Sequence, residues 1–405
     1  MTRGCVKRRA GSRARPFDKG MTKAATVRTD DANLPASPPQ EGSRPRSRLT
    51  RGLRFVRRRK RFVAGLSIII LFYAVAIFAD FLAPYDYRAQ SRWEKLSPPS
   101  PISFRDAQGN WHMRPFIYER RLVDPLQRIY GEDAARAHPL ALFTTGYSYK
   151  LFGLFESRKH LFGLRDGDAE DGTRVRLLGT DRNGRDRLSR LLIASRFSLV
   201  VGPLGTLLAS ALGIFLGCVA GFGGRALDAV LMRVADAMMA LPALVLILAA
   251  RAAFPLSLPI GQAALLMVII FALIGWAEMA RLTRGLVLAL RKREFVLAAE
   301  SLGLSKSRIL FRHILPNAAR PLVVQVTLML PFFLLTETAL SYFGAGPQVP
   351  EASWGNMLAE ASDSNLLARQ PLVLLAPAFA IFFFVLGIRL VSDGLKEKTA
   401  RGGPV

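Results

Sequence analysis

The chain has 405 residues, 51% of them hydrophobic, with a mean hydropathy of +0.24. It is too apolar for an ordinary soluble globule, and with 21% charged residues too polar to lie in lipid throughout, so several spans joined by polar segments are expected. The formal net charge of +26 would suit a nucleic-acid binder, but much of the excess lies in residues 1–61 and ends in Arg57, Arg58, Arg59, Lys60 and Arg61, directly before an apolar run. A basic cluster abutting a span holds that side in the cytoplasm and attracts anionic headgroups, so membrane lipid is expected as a partner and nucleic acid is not.

Residues 1–61 are rich in Arg, Ser, Pro and Gly with almost no apolar periodicity, and read as a disordered basic cytoplasmic tail in which Met21 is an alternative start. The first long apolar run begins near Phe62 and no A-x-A-like site follows it, which argues against a signal peptide. Residues 62–84 supply the roughly 20 residues that a bilayer core demands, with Asp80 near the outer end where its charge reaches water. Residues 85–196 carry charges of both signs and the run Pro98, Pro99, Ser100, Pro101, and no stretch able to span; they form an extracytoplasmic insert, a domain or long lid. Residues 197–393 hold five further spans, at about 198–222, 229–253, 260–282, 321–343 and 371–391. Gly202, Gly205, Gly213, Gly217 and Gly221 give the second span small faces for close packing. Pro242, Pro331 and Pro377 lie inside apolar runs, and each invites a kink. A charged segment, 283–320, separates spans four and five, and residues 394–405 form a tail.

Six spans starting inside bring Arg225, then Arg281, Arg284, Arg291, Lys292, Arg293, Lys306, Arg308 and Arg312, and finally Lys396, Lys398 and Arg401 to the cytoplasmic side. The outer loops near Pro255 and Pro350 carry almost no basic residues. The fold class expected is therefore all-α and integral to the membrane, with six transmembrane helices, an insert between spans one and two, and both termini cytoplasmic.

Cys5 lies in the tail and Cys218 in an apolar run, which supports neither a disulfide framework nor a thiolate site. His112, His138, His160 and His313 lack metal-ligand spacing and read as solvated or capping, so no metal or cofactor is expected. No G-x-x-x-x-G-K-[ST] is present to cradle nucleotide phosphates, and no nucleophile or paired-carboxylate constellation supports an enzyme. Asp236, Glu278 and Glu337 are carboxylates in or beside spans, where a charge at mid-bilayer costs about 2.5–3.5 kcal/mol. Asp236 and Glu278 lie near cytoplasmic ends, within reach of Arg233, Arg281 or Arg284. In the 283–320 segment, Phe295, Ala298, Leu302, Ile309 and Ile314 recur at helical offsets. Ala299 and Gly303, four apart, make a small patch that another protein can approach; a helix lying on lipid alone is the alternative.

Gly179, Thr180, Asp181, Gly184, Arg185 and Asp186 resemble the Gly-Thr-Asp-x-x-Gly-Arg-Asp signature that precedes the second span in permeases of the dipeptide, oligopeptide and nickel ABC importers. Further matches follow in order: Gly221-Phe-Gly-Gly224, Met232-Arg-Val-Ala-Asp236 with Leu241-Pro242, Gly275-Trp276 with Ala280-Arg281, Glu337-Thr-Ala-Leu-Ser-Tyr-Phe-Gly344 and Ser353-Trp-Gly-Asn-Met357. The stretch from Glu294 to Pro316 resembles the EAA loop of these subunits, a short cytoplasmic helix that docks into the ATPase and transmits its motion. The resemblance implies coupling through Glu294, Ala298, Ala299, Glu300, Gly303 and Pro316, with Leu297 standing where the family has the first Glu. The insert is longer than in dipeptide-type subunits and similar to the long-insert oligopeptide branch, which includes microcin-type peptide importers.

The resemblance further implies a subunit that is not itself an enzyme and forms half of a pore in the bacterial inner membrane. Its partners would be a homologous second permease, two ATPases and an extracytoplasmic solute-binding protein, and it would work by alternating access. Peptides are favoured over nickel because intramembrane His and Cys ligands are missing apart from Cys218. Glu337, deeper in its span, is the leading candidate for the translocation path beside Asp236 and Glu278, with a structural hydrogen bond as the other reading of Glu337. Asp181, Arg185 and Asp186 are expected to interlock and cap a short amphipathic helix ahead of span two. The rivals are a permease for nickel or a peptide-like antibiotic, an ion-coupled transporter with paired repeats and broken helices, and a membrane enzyme or scaffold.

Overall fold

The computed structural model describes residues 60–106, 108–124, 129–151, 155–164 and 174–401, so most of the predicted N-terminal tail lies outside the described residues. The chain enters as α1 (Lys60–Ile77) and continues into the short α2 (Ala79–Leu82). The insert then forms four antiparallel strands in sequential order, β1 (Ser103–Arg105), β2 (Trp111–Asp124), β3 (Ile129–Leu151) and β4 (Phe155–Leu164). The helices that follow are α3 (Arg187–Phe222), α4 (Arg225–Ala240), α5 (Ala243–Ala252) and α6 (Ile260–Leu290). Beyond them come α7 (Glu294–Ser301), α8 (Lys306–Ile309), a π-helical turn (Leu310–Ile314), α9 (Leu315–Tyr342), α10 (Trp354–Glu360), α11 (Ser364–Arg369) and α12 (Leu372–Arg401).

Five helices are long and apolar enough to cross a membrane, and the pair α4 and α5 makes a sixth candidate. The expected multi-span helical fold is thus borne out, with two differences. The third span is not straight: α4 and α5 meet at 90°, because Pro242 offers no N–H and holds Leu241 in extended backbone. The insert adds a sheet to the helical plan. Its small core is Ile117, Leu164 and Val175, and β2 pairs with β3 from Phe116 opposite Pro139 to Asp124 opposite Ile129.

Two apolar clusters hold the helices together. One centres on Phe271 and Phe333, whose rings stack at 5.0 Å, with Ile247 and Met267 alongside. The other joins α1, α3, α10 and α12 around the wholly buried Trp354 and Phe384. Between α3 and α6 the backbones nearly touch: a Cβ on Gly217 would stand 2.5 Å from the Ala280 carbonyl oxygen, and one on Gly213 2.6 Å from Met279 Cβ. Small residues at this four-residue spacing let helices pack where lipid supplies no hydrophobic drive of its own.

A directed bond ties the sheet to α2, and others tie α2 and α1 to α3. His160, 1% exposed, points Nδ1 at the Asp80 carbonyl and Nε2 at the Tyr147 carbonyl, each at 3.0 Å. His138 is buried as well, so of the solvated and capping readings neither histidine takes the first, and the bond of His160 to a carbonyl of α2 accords with the second. Asp80 does not simply reach into water, since its carboxylate takes Arg196 Nη2 at 2.7 Å, and Arg196 Nε also bonds the Ala76 carbonyl.

Replacing Gly217 with Leu is expected to wedge α3 from α6 and destabilise the fold by about 1–3 kcal/mol or more. A thermal unfolding series on the detergent-solubilised protein checks this, with Gly224→Ala, whose Cβ meets open space, staying near wild type.

Candidate functional site

The segment after α6 is built from residues that favour a helix and stop it sharply. Glu294 opens α7 where a carboxylate complements the helix dipole, and Val296, Leu297, Ala298 and Ala299 carry it forward. At the far end Gly303 takes φ +73°, its N–H bonds Glu300 O at 2.9 Å, and Leu304 N–H bonds Ala299 O at 3.2 Å. This is a Schellman closure, which demands a left-handed residue at the Gly303 position. A Cβ there would meet open space, so backbone conformation, not a neighbour's close approach, selects the glycine. Of the patch expected from Ala299 and Gly303, Ala299 is turned inward and Gly303 stays exposed.

Val296, Ala299, Ile309 and Ile314 turn inward and form one cluster with Val287 of α6 and Cys218 of α3. Ala299 is only 4% exposed and serves as an anchor rather than a contact. The outward face is Phe295, Leu297, Ala298, Leu302 and Phe311, with Leu302 81% exposed. Exposed Glu294, Glu300, Lys306, Arg308 and Arg312 surround it. Pro316 is also exposed, and the helix runs on through it. The π turn widens the helix just before Pro316, where a missing N–H and a ring against the carbonyl four residues back would otherwise break it, and the long helix continues into α9.

A second feature lies where the α4–α5 bend faces α6 and α9. A cavity of about 590 Å³ opens there between apolar walls that include Met238, Leu241, Ile274 and Phe332, with Glu278 and Gln325 on its surface. Gln325 Nε2 donates to Glu278 Oε1 at 2.8 Å. Asp236 lies nearby on α4 and pairs with Arg281, while Arg284 grips Asp228 through two bonds of 2.8 and 2.6 Å. Pairing with Arg281 was anticipated for Asp236 but not the amide partner of Glu278. Glu337 is not part of this cavity: it is wholly buried and accepts from Ser341 Oγ at 2.8 Å. That bond lies within α9 itself, whereas the structural reading of Glu337 expected one to a neighbouring helix.

The motif at 179–186 forms a knot of buried charge. Asp181 Oδ2 takes Arg185 Nε at 2.6 Å and faces Arg190 Nε at 3.6 Å. Asp186 caps α3 by accepting from Ser189 N at 2.8 Å and Ser189 Oγ at 2.7 Å, with Arg176 3.6 Å away. Burial pushes the Asp186 carboxyl above its usual range, against the pull of Arg176 and the Ser189 bonds. Thr180, fully buried, donates to the Glu94 carbonyl and accepts from Ser97 N at 2.8 Å, and Gly179 and Gly184 take left-handed backbone at the turns on either side. Arg176 also reaches Glu94 at 2.6 Å and lies over the ring of Tyr85, whose hydroxyl burial pushes up to about 12. Of the interlock anticipated among Asp181, Arg185 and Asp186, the Asp181–Arg185 pair is present while Asp186 takes Arg176 instead, and the helix that Asp186 caps is no separate short one: it is the first turn of the 36-residue α3.

One residue went unread in the sequence. Arg251 ends α5, wholly buried, and donates from Nη1 to the carbonyls of Phe254 and Pro255 at 3.2 and 3.1 Å. A lone Arg inside an apolar run was its signal, and its long stem brings the head to carbonyls of the loop that follows the helix. Among the described residues no group of three or more His, Cys, Asp or Glu is placed to hold a metal ion.

A family profile described as binding-protein-dependent transport system inner membrane component matches residues 213–401, and one described as the N-terminal TM domain of oligopeptide transport permease C matches residues 47–99. The oligopeptide transport system permease protein OppC of Bacillus subtilis is 36% identical over 219 residues, covering 54% of this chain and 69% of that one. A putative peptide permease protein of Brucella suis is 38% identical over 54% of this chain and 70% of its own length. The di/tripeptide transport system permease protein DppC of Pseudomonas aeruginosa is 37% identical over 56% and 73%. Among solved structures, a chain of the MetNI methionine ABC transporter in an inward-facing conformation aligns over 49% of this chain and 91% of that one, at 17% identity and a TM-score of 0.35. The extent and identity of the OppC match, together with the two profiles, show that the chain belongs to the family of binding-protein-dependent transport system inner membrane components.

Proposed function

We propose that this chain is the multi-pass inner-membrane permease subunit of an ATP-driven peptide importer, forming half of a translocation pathway that a homologous second permease completes. The observation that carries the reading is the anchored coupling segment: an inner face locked onto α3 and α6, and an outer face ending in the exposed Leu302 and Phe311. An apolar patch ringed by charge on a short helix between spans is the kind of surface a protein partner covers. Two ATPase subunits are the partners in this reading, one for each permease. Relatives named for oligopeptide and di/tripeptide transport favour peptides as cargo.

Force entering at Leu302 reaches the cavity by two rigid routes. Val296 and Ala299 press on Val287, which shares α6 with Glu278; α8 and the π turn run without interruption into α9, which carries Gln325 and Phe332. ATP-driven closure of the ATPases would thus displace both walls together and turn the cavity from one membrane face to the other. The chain contains no phosphate-cradling loop and hydrolyses nothing in this scheme. Both termini and the 283–320 segment belong on the cytoplasmic side, and the sheet-bearing insert outside, where a solute-binding protein delivers cargo.

Leu302→Asp is expected to cut ATPase co-purification and peptide uptake at least about tenfold, by placing a charge in a desolvated contact. Undiminished co-purification with normal uptake would sink the coupling role. Gly303→Val forces a β-branched residue to positive φ at a cost of about 1–2 kcal/mol and should tilt α7 against α8. Its expected signature is ATP hydrolysis that no longer rises when loaded binding protein is added. For the orientation, a cysteine at Trp93 in a background without Cys5 and Cys218 should react with an impermeant maleimide in intact spheroplasts. One at Lys306 should react only after lysis, and the reverse pattern would invert the topology.

A further inference from the structure

We infer that Glu278 and Gln325 form a seat for the free amino terminus of a peptide within the α4–α6–α9 cavity. The inference rests on the peptide-permease reading and adds to it a recognition element inside the membrane part of the pathway. Glu278 is the one charged residue on the cavity surface, and Gln325 is its one other polar side chain. Only Oε1 of Glu278 is engaged, by Gln325 Nε2 at 2.8 Å. Among the described residues Glu278 makes no ion pair, although basic residues stand one and two turns further along the same helix: Arg281 is taken by Asp236 and Arg284 by Asp228. The nearby cations are thus consumed by other carboxylates, and the cavity keeps a net negative charge between apolar walls.

A carboxylate so placed favours a cation that also brings hydrogen-bond donors. A primary ammonium has three: one suits Glu278 Oε2, and another suits Gln325 Oε1, left as an acceptor because that amide donates through its nitrogen. A divalent metal ion fits poorly, since one carboxylate, one amide oxygen and thioethers do not make the six or more oxygen ligands that hard cations take. The amino terminus is the cationic group every peptide shares. The rest of the lining suits varied side chains, because Met238, Met239 and Met329 are flexible and polarizable. Recognition here is therefore of the common end, not of sequence.

The test uses the purified full complex with a cysteine at Leu241, exposed on the cavity wall, in the background without Cys5 and Cys218. Trialanine and its des-amino analogue, propionyl-alanyl-alanine, are compared for slowing of maleimide labelling at that cysteine. Trialanine is expected to protect at concentrations roughly tenfold or more below those of the analogue. Glu278→Gln should erase that difference, and Glu278→Asp should keep most of it. Equal protection by both peptides, protection by neither, or an unchanged difference in Glu278→Gln overturns the inference. Trialanine uptake by cells carrying the unmodified complex is measured in parallel: uptake without selective protection removes only the amino-terminal seat, whereas absence of uptake removes the peptide reading beneath it.

Discussion

Under the proposed function, the contact of Val287 with Val296, Ala299, Ile309 and Ile314 is the joint on which coupling depends. A segment that meets a moving partner must be exposed, yet it can pass force only if it does not flex against the helices behind it. The chain resolves this by giving one short segment, from α7 to the π turn, two faces. The inner face is buried with residues of the membrane helices, while the outer face keeps Phe295, Leu302 and Phe311 free. Burying side chains of this size contributes about 1.5–3 kcal/mol each, which is enough for α7 and α8 to follow the spans as one body.

Opposite in chemistry is the knot around Asp181 and Asp186. Four arginines, Arg176, Arg185, Arg187 and Arg190, are buried there with Asp181, Asp186, Glu94 and Glu360 around them. Burial of ion pairs gives little net stability, but removing one partner from such a set costs about 3–5 kcal/mol, because the other is stranded. The arrangement suits registration: it accepts a single mutual placement of the insert, the start of α3 and the loop before α10. Tyr87 and Arg88 extend the same joint by bonding Glu351 at 2.8 and 2.6 Å.

Much of this architecture was legible in the sequence because lipid imposes one dominant length on apolar runs. The five long helices fall where those runs fall, and Pro242 announced a kink, though not that the span would turn through 90°. The sheet was not legible. β2 lies with both faces partly solvated, so the strict alternation that marks a half-buried strand is diluted by Arg, Glu and His on either side. In the coupling segment, spacing identified a helix but not its phase. Ala299 looked like a contact and is an anchor; Gly303 looked like an opening and is a cap. Glu337 could not be assigned to path or packing from its depth alone, since that choice depends on which neighbour its face meets. Gln325, an amide within an apolar stretch of α9, gave no periodic signal, and only the fold brings it to Glu278.

The π turn at Leu310–Ile314 matters beyond accommodating Pro316. Each residue added to a helix advances its azimuth by about 100°, and a π turn takes up extra chain without continuing that advance as an α-helix would. The turn therefore sets the angle between Phe311, which is exposed, and Gln325 and Phe332, which line the cavity. It acts as a vernier on a shaft: the exposed face at Phe311 and the cavity-lining face further along are aimed separately, so that under the proposed function a change in the length of chain held in that turn would re-aim the side offered to an ATPase while every span stayed in place.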